Sequence, residues 1–335
     1  MKSLRPLAAV ALIVFLYLLP IVHIPLLDSE DFDFPSLLFY PIGIFVLLAI
    51  GLYVTIGLAG LLNLGHVAFF AVGAYTMGLC NTLLGWPYFA VLPLAVAVSM
   101  VFGVLIAAPT LRLRGDYLAI ATLGFGQVIQ IFLTNAPGLG GVRGISGIAP
   151  PTSIGPLVFG VLDPVPFVWL VLTLILIAYF IVRRLESTHI GRGWNAIRAD
   201  EDVAELMGVP TYRLKILAFA IGAGIAGAAG ATYATKASFI SPETFDLSLI
   251  ILLIAALTIG GTRSLTGAIV GTLLVAYLPE RFREFGDLRM LLFAAVLVLM
   301  VIFRPQGLFG RRLPREAESG SEVVENVKGE AHGTA

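Results

Sequence analysis

Apolar residues along this chain fall into long stretches that are separated by short polar or glycine-rich segments. A transmembrane helix needs about 20 predominantly apolar residues to cross the bilayer. By that length the pattern predicts about ten transmembrane helices, and therefore an all-α polytopic membrane protein. The predicted spans are residues 7–24, 37–57, 66–84, 88–111, 116–134, 164–184, 213–235, 246–262, 265–280 and 288–304.

Composition indicates that most of the chain lies in the membrane. Charged residues make up 13% of it, whereas a soluble domain carries about 25%. The net charge is zero, which gives no sign of a nucleic-acid partner. No small-residue cleavage site follows the first apolar segment, so we expect it to be retained as a span. We predict a transmembrane domain over residues 1–310 and a disordered tail over 311–335, which lacks an apolar period.

The lysines and arginines predict how the helices are oriented. With ten spans that begin and end in the cytoplasm, 16 of the 21 basic residues fall in inside segments. An excess of basic residues marks the cytoplasmic side of a membrane protein. The sequence therefore predicts an N-in, C-in topology and a cytoplasmic tail.

One short segment, GLAGLLNLGH (57–66), interrupts an otherwise apolar region with Gly60, Asn63, Gly65 and His66. Irregular backbone at membrane depth is tolerated where it is buried in protein or lines a cavity. We therefore predict a broken helix beside a translocation pathway, with Gly60 and Gly65 as the backbone-permissive positions. For His66 the alternatives are a packed neutral histidine, which is the more common role, and a substrate contact.

The span that covers 116–134 carries Thr122, Gly124 and Gln127. Polar and small residues within a span face protein or water rather than lipid. Two interpretations remain open for these residues, namely contacts between helices and the lining of a pathway.

The largest hydrophilic segment is the loop at about 186–212. Its residues 194–207 predict one or two short helices, and Gly208 followed by Pro210 predicts a helix end and a turn. The segment is either an ordinary solvated loop or a docking surface for a cytoplasmic partner.

Other motifs argue against an enzyme. GAGIAG (222–227) matches a dinucleotide-binding pattern, but it lies in an apolar helix and not in a βαβ unit, so it predicts close helix packing. The chain contains no nucleotide-binding P-loop pattern, no metal-ligand spacing and no catalytic serine motif. We predict no catalytic residue, no cofactor and no metal site.

Five stretches in order give the chain a specific resemblance, from about residue 40 to residue 310. It resembles the LivM-type permease subunits of bacterial ABC importers for branched-chain amino acids. The stretches are GLAGLLNLGHVAFFAVGAY (57–75), LRLRGDYLAIATLGFGQVI (111–129), IGRGWNAIRADEDVAELMGVP (190–210), ISPETFDLSLIILLIAALTIGGTRSLTGAIVG (240–271) and RPQGLFG (304–310).

The resemblance implies a subunit of the inner membrane, in contact with lipid, that pairs with a similar sister permease. It also implies two cytoplasmic ATPase subunits and a periplasmic substrate-binding protein. Segment 190–210 resembles the permease coupling loop, whose usual form is E-A-A-x-x-x-G. The residues that the resemblance assigns to this loop are Gly191, Arg192, Asp202, Ala204, Glu205 and Gly208.

Two alternatives remain open at this point. A closely similar permease type carries urea or short amides. A stand-alone secondary transporter would need an ion site, usually an acidic residue within a span. The candidates Asp116, Asp163 and Asp246 all lie at the ends of predicted spans, which disfavours this second alternative.

Overall fold

The computed structural model describes residues 14–20, 34–113, 115–153, 159–160, 163–281, 288–303 and 307–309. The predicted tail 311–335 and most of the predicted first span 7–24 lie outside these residues. The helices, in chain order, are α1 (Pro35–Leu58), α2 (His66–Leu84), α3 (Tyr88–Thr110), α4 (Asp116–Asn135), α5 (Val165–Glu186), α6 (His189–Ala199), α7 (Glu201–Leu206), α8 (Thr211–Ala237), α9 (Leu247–Gly260), α10 (Leu265–Arg281) and α11 (Leu288–Phe303).

The prediction of an all-α membrane protein is confirmed. In the described part of the chain, 7 helical segments are long and apolar enough to cross a membrane, namely α1 to α5, α8 and the segment Pro242–Gly260 that ends with α9. Helices α10 and α11 are apolar but shorter, at 17 and 16 residues. The total of ten spans stays a prediction.

The core of the bundle forms around α1 and α8, whose residues are mostly buried, whereas fewer than a third of the residues in the apolar windows of α3, α4 and α5 are buried. Helix α8 packs against α1, α2 and α3 through glycines, because a side chain there would collide with the neighbouring backbone. A Cβ atom on Gly222 would lie 2.8 Å from the carbonyl oxygen of Gly51 in α1. A Cβ atom on Gly230 would lie even closer to the carbonyl oxygen of Phe70 in α2. The predicted packing role of the GAGIAG glycines is confirmed.

With ten spans and an N-in topology, residues 135–163 and 236–245 are predicted to lie outside and residues 185–212 and 305–335 inside. At one end, the two-residue strands β1 (Ile145–Ser146) and β2 (Phe239–Ile240) pair antiparallel. At the other end, the hydroxyl of Tyr212 at the start of α8 donates to the carbonyl oxygen of Ala108 near the end of α3, at 3.3 Å. The backbone N–H of Leu308 at this same end donates to Ile259 O at 2.8 Å and so caps α9. The N-in, C-in orientation itself stays a prediction from the charge pattern.

Candidate functional site

The GLAGLLNLGH segment does break the helix. Helix α1 ends at Leu58 and α2 begins at His66, with a bend, irregular backbone and a turn between them. Gly60 has φ +73°, in the left-handed region that residues with a side chain rarely adopt. The N–H of Leu61 donates to Thr55 O at 2.9 Å, which folds the chain back along α1.

The first residue of α2 lies deep within the bundle. The Nε2 atom of His66 is 3.2 Å from the carbonyl oxygen of Leu48. Leu48 precedes the end of α1 by ten residues, which is about 15 Å of helix at 1.5 Å per residue. The segment between the helices therefore re-enters the bundle, and the N-terminus of α2 lies at about half the length of α1.

Polar groups satisfy part of this buried N-terminus. The side-chain oxygen of Asn63 accepts a hydrogen bond from the N–H of Gly65 at 3.1 Å. The hydroxyl of Thr122, in α4, accepts one from the N–H of Leu64 at 3.1 Å. Asn63 and His66 are 1% and 0% exposed, so protein surrounds these two side chains, whereas Gly60 and Leu62 of the same segment are exposed.

Two side-chain atoms at the break have no hydrogen-bond partner among the described residues, the Nδ2 of Asn63 and the Nδ1 of His66. Because Nε2 of His66 faces a carbonyl oxygen, a neutral ring carries its proton there and leaves Nδ1 as an acceptor. The break thus holds one unused donor and one unused acceptor. The ring of His66, the first residue of α2, packs against α1. A Cβ atom added to Gly51 in α1 would lie 3.0 Å from Nε2 of His66.

Helix α4 presents the predicted polar residues on two faces. Thr122 is buried at the break, and Gly126, one turn later, lies beside Gly65 with a Cβ position 3.4 Å from its Cα atom. Gly124 and Gln127 are half-buried on the other face, and a Cβ on Gly124 would meet nothing within 4 Å. Of the three predicted α4 residues, the structure brings only Thr122 to the break.

The hydrophilic loop folds into two short helices, as predicted, although the first begins earlier, at His189. Trp194 is fully buried, and its indole N–H donates to Leu214 O in α8 at 2.8 Å. Asp200 caps α7, because its Oδ1 accepts from the N–H of Asp202 at 3.0 Å and from that of Val203 at 3.1 Å. We call α6, α7 and the turn between them the α6–α7 element.

An ion pair also joins the α6–α7 element to α8. Lys215 in α8 is almost fully buried, and its ammonium group pairs with the carboxylate of Glu201 at the start of α7. A buried charge of this kind is tolerated because it is paired. The element is therefore a structured unit that is fixed to α8, and not a solvated loop.

The residues that the resemblance assigned to the coupling loop divide into two groups. Arg192, Asp202, Glu205 and Gly208 are exposed, and Gly208 ends α7 with φ +82°. Gly191 and Ala204 are buried. A Cβ on Gly191 would lie 2.6 Å from Leu185 O, so this glycine allows α6 to approach the end of α5.

Exposed apolar side chains at the end of α7 were not identified from the sequence. Leu206 is 87% exposed and Met207 is 80% exposed, with Val203 half-exposed one turn earlier. Single exposed apolar residues are common, but three neighbours on a short polar element indicate an interaction surface. From the sequence these three residues could have been identified as apolar positions within an otherwise charged segment.

Arg198 in α6 was also missed, and it reaches two other parts of the chain. Its guanidinium donates to the carbonyl oxygen of Gly57 in the last turn of α1, and to the hydroxyl of Thr262 at 3.3 Å. Burial, followed by the charge of Arg263, lowers the pKa of Arg198, and Tyr53 opposes this shift. An arginine nevertheless stays protonated at neutral pH.

Thr262 belongs to the Gly260–Ser264 segment, for which a second helix interruption and a simple turn were the alternatives. The structure shows a tight turn between α9 and α10, next to the α6–α7 element. Within the described part of the chain, no three histidine, cysteine or acidic residues come together as a metal site.

Comparisons with known proteins agree with these features. The family "Branched-chain amino acid transport system / permease component" matches residues 35–302. The permease LivM of Salmonella typhimurium is 39% identical over 293 residues, which cover 81% of this chain and 69% of the relative. The LivM of Escherichia coli is 38% identical with the same coverage. The permease BraD of Pseudomonas aeruginosa is 28% identical over 287 residues, which cover 80% of this chain and 92% of BraD.

No solved structure matches. The long apolar helices and these relatives identify a multi-pass protein of the inner membrane. The family match extends from the first residues of α1 into α11 and includes both the break and the α6–α7 element. The chain therefore belongs to the family of branched-chain amino acid transport permeases, of the LivM type.

Proposed function

We propose that the chain is a transmembrane permease subunit of an ABC importer and that it translocates leucine, isoleucine and valine. The observation that carries this proposal is the 39% identity to a high-affinity branched-chain amino acid permease over most of both chains. The urea and short-amide alternative has no comparable support. ATP is hydrolysed by partner subunits, because this sequence contains no nucleotide-binding loop.

The proposed topology has ten spans within residues 1–310, with both termini and the 311–335 tail in the cytoplasm. The contacts at the two ends of the bundle support this arrangement. Strands β1 and β2 pair at the end predicted to face the periplasm, and the α6–α7 element lies at the other end with the α9–α10 turn.

The proposed pathway runs along the break and the adjoining side of α4. The buried N-terminus of α2 carries a partial positive charge, which favours the carboxylate of a passing amino acid. When the segment 59–65 moves, the free Nδ2 of Asn63 can donate to that carboxylate and the free Nδ1 of His66 can accept from an ammonium group. Gly60 and Gly65 provide the backbone freedom, Thr122 holds the segment closed, and the half-buried Gly124 and Gln127 continue the proposed pathway on the other face of α4.

The α6–α7 element is the proposed contact with the ATPase subunits. Its exposed side contains Arg192, Asp202, Glu205 and the apolar group Val203, Leu206 and Met207, while Gly191, Ala204 and Gly208 shape the two helices. The full complex would contain a sister permease, two cytoplasmic ATPase subunits and a periplasmic binding protein.

Uptake by cells with and without this gene, with the partner genes left intact, tests the proposal. We expect deletion to abolish uptake of labelled leucine and excess isoleucine or valine to compete with it. Loss of urea uptake alone would contradict the proposed substrate while leaving the architecture unchanged. Leucine uptake through this chain that persists without the ATPase genes would instead identify a secondary transporter.

A further inference from the structure

We propose that Arg198 is the residue that transmits movement of the α6–α7 element to the broken helix and to the α9–α10 turn. This inference rests on the proposed function, since it assigns a positioning role within an ATP-driven transport cycle. Arg198 contacts neither substrate nor nucleotide. It acts through the backbone of α1 and the hydroxyl of Thr262.

The contacts of Arg198 join three parts of the chain that are distant in sequence. One guanidinium nitrogen donates to Gly57 O, 141 residues away, and another donates to Thr262 Oγ1, 64 residues away. A guanidinium presents several donors in a fixed planar arrangement, so one side chain can hold two acceptors in a defined geometry. A cation is also favourable at the C-terminal end of α1, where the helix dipole is negative.

The aliphatic part of the same side chain packs on the break. A Cβ atom on Gly60 would lie 2.8 Å from Cγ of Arg198 and 3.2 Å from its Cα atom. Because Gly60 has no side chain, α6 rests directly on the backbone where the chain leaves α1. Residues 61–65 then lead to the buried N-terminus of α2, so a displacement of α6 acts at the base of the re-entrant segment.

On its other side the α6–α7 element is held to α8 through Trp194 and through the pair of Glu201 with Lys215. These contacts join residues that are close in sequence. They hold the α6–α7 element against α8 when a partner subunit displaces it. Arg198 is different, because its two hydrogen bonds cross to α1 and to the α9–α10 turn. Removing its guanidinium should therefore leave the docking element folded but disconnect it from the pathway.

The test uses the complete importer, reconstituted in vesicles with its ATPase subunits and binding protein. ATP hydrolysis and uptake of labelled leucine are measured on the same vesicles, and their ratio is compared between variants. Arg198→Met keeps the unbranched stem but loses the donors. We expect leucine transported per ATP to fall about tenfold, a usual size for coupling between sites, while ATP hydrolysis continues.

The matched control is Arg184→Met, which removes an exposed arginine at the end of α5, on the same end of the bundle. We expect its ratio to equal that of the wild type. A merely structural role for Arg198 would lower ATP hydrolysis and uptake together and leave the ratio unchanged, and that result would overturn the proposal. Absence of ATP-driven leucine uptake in the wild type would overturn the proposed function itself.

If the Arg198→Met complex does not assemble, a milder variant tests the coupling role of Arg198. Thr262→Val removes one acceptor and keeps the shape of the side chain. Loss of a single hydrogen bond should lower the ratio of leucine to ATP by about two- to fivefold. An unchanged ratio in an assembled Thr262→Val complex would overturn the role of Arg198.

Discussion

The Nε2 atom of His66 lies 3.2 Å from the carbonyl oxygen of Leu48, so the first residue of α2 is bonded to the middle of α1. This bond fixes both the tautomer of the ring and the depth at which α2 begins. It also shows that His66 takes part in helix packing, whichever contacts it makes during transport.

Replacing His66 by phenylalanine keeps a ring in the site but removes the hydrogen bond to Leu48. Losing a buried hydrogen-bond partner costs about 1–3 kcal/mol, and each kcal/mol lowers the melting temperature by about 2–4 °C in a protein of 150–250 residues. We expect a melting temperature several degrees lower for the purified complex. His189→Phe, at an exposed position, is the control, and equal melting temperatures for the two variants would contradict the assigned role.

A side chain at Gly65 should disturb the break directly. A Cβ atom there would collide with the carbonyl oxygen of Thr122, so Gly65→Leu must push α4 away from the N-terminus of α2. Overpacking of this size costs about 1–3 kcal/mol, and we expect leucine uptake to fall about tenfold in cells that still contain the assembled complex.

The control for this variant is Gly138→Ala, at an exposed glycine where a Cβ would meet nothing within 4 Å. Its uptake should match that of the wild type. Normal uptake by an assembled Gly65→Leu complex would remove the break from the proposed pathway.

Sequence alone predicted the apolar helices and the break closely, because both depend on local composition. The predicted span 66–84 is α2 to the residue, and the predicted interruption lies where α1 ends. The depth of the break could not be predicted, since it depends on a contact between His66 and Leu48 across two helices. Arg198 was missed for a similar reason. In a charged loop an arginine resembles a solvated residue, and its acceptor Gly57 O is 141 residues away.

The glycine face of α8 offers a test of the packing at the centre of the bundle. A Cβ on Gly230 would overlap the backbone of Phe70 in α2, and backbone cannot move aside as a flexible side chain can. We expect Gly230→Ala to lower the yield of folded, detergent-stable permease severely. Gly160→Ala places a Cβ no closer than 3.5 Å to its neighbours and should express normally, whereas equal yields would contradict the packing argument.

The apolar end of α7 gives a prediction about assembly. Leu206 and Met207 are almost fully exposed at the end of a short helix that carries three acidic residues, and burying such side chains at an interface contributes about 1.5–3 kcal/mol each. If they contact the ATPase subunits, Leu206→Asp should weaken binding by about tenfold or more, because it also buries a charge. The permease itself should keep its melting temperature, since this side chain packs on little within the chain.

Binding of the purified ATPase subunits to detergent-solubilised permease measures this effect, with leucine uptake as the second reading. The matched control is Leu83→Asn, since Leu83 is 74% exposed at the end of α2 away from the α6–α7 element. Its binding of the ATPase subunits should equal that of the wild type. Wild-type binding by Leu206→Asp would show that the ATPase subunits contact the permease elsewhere. Docking of the ATPase subunits through α7 requires that Leu206→Asp lose both binding and uptake while the permease keeps its melting temperature.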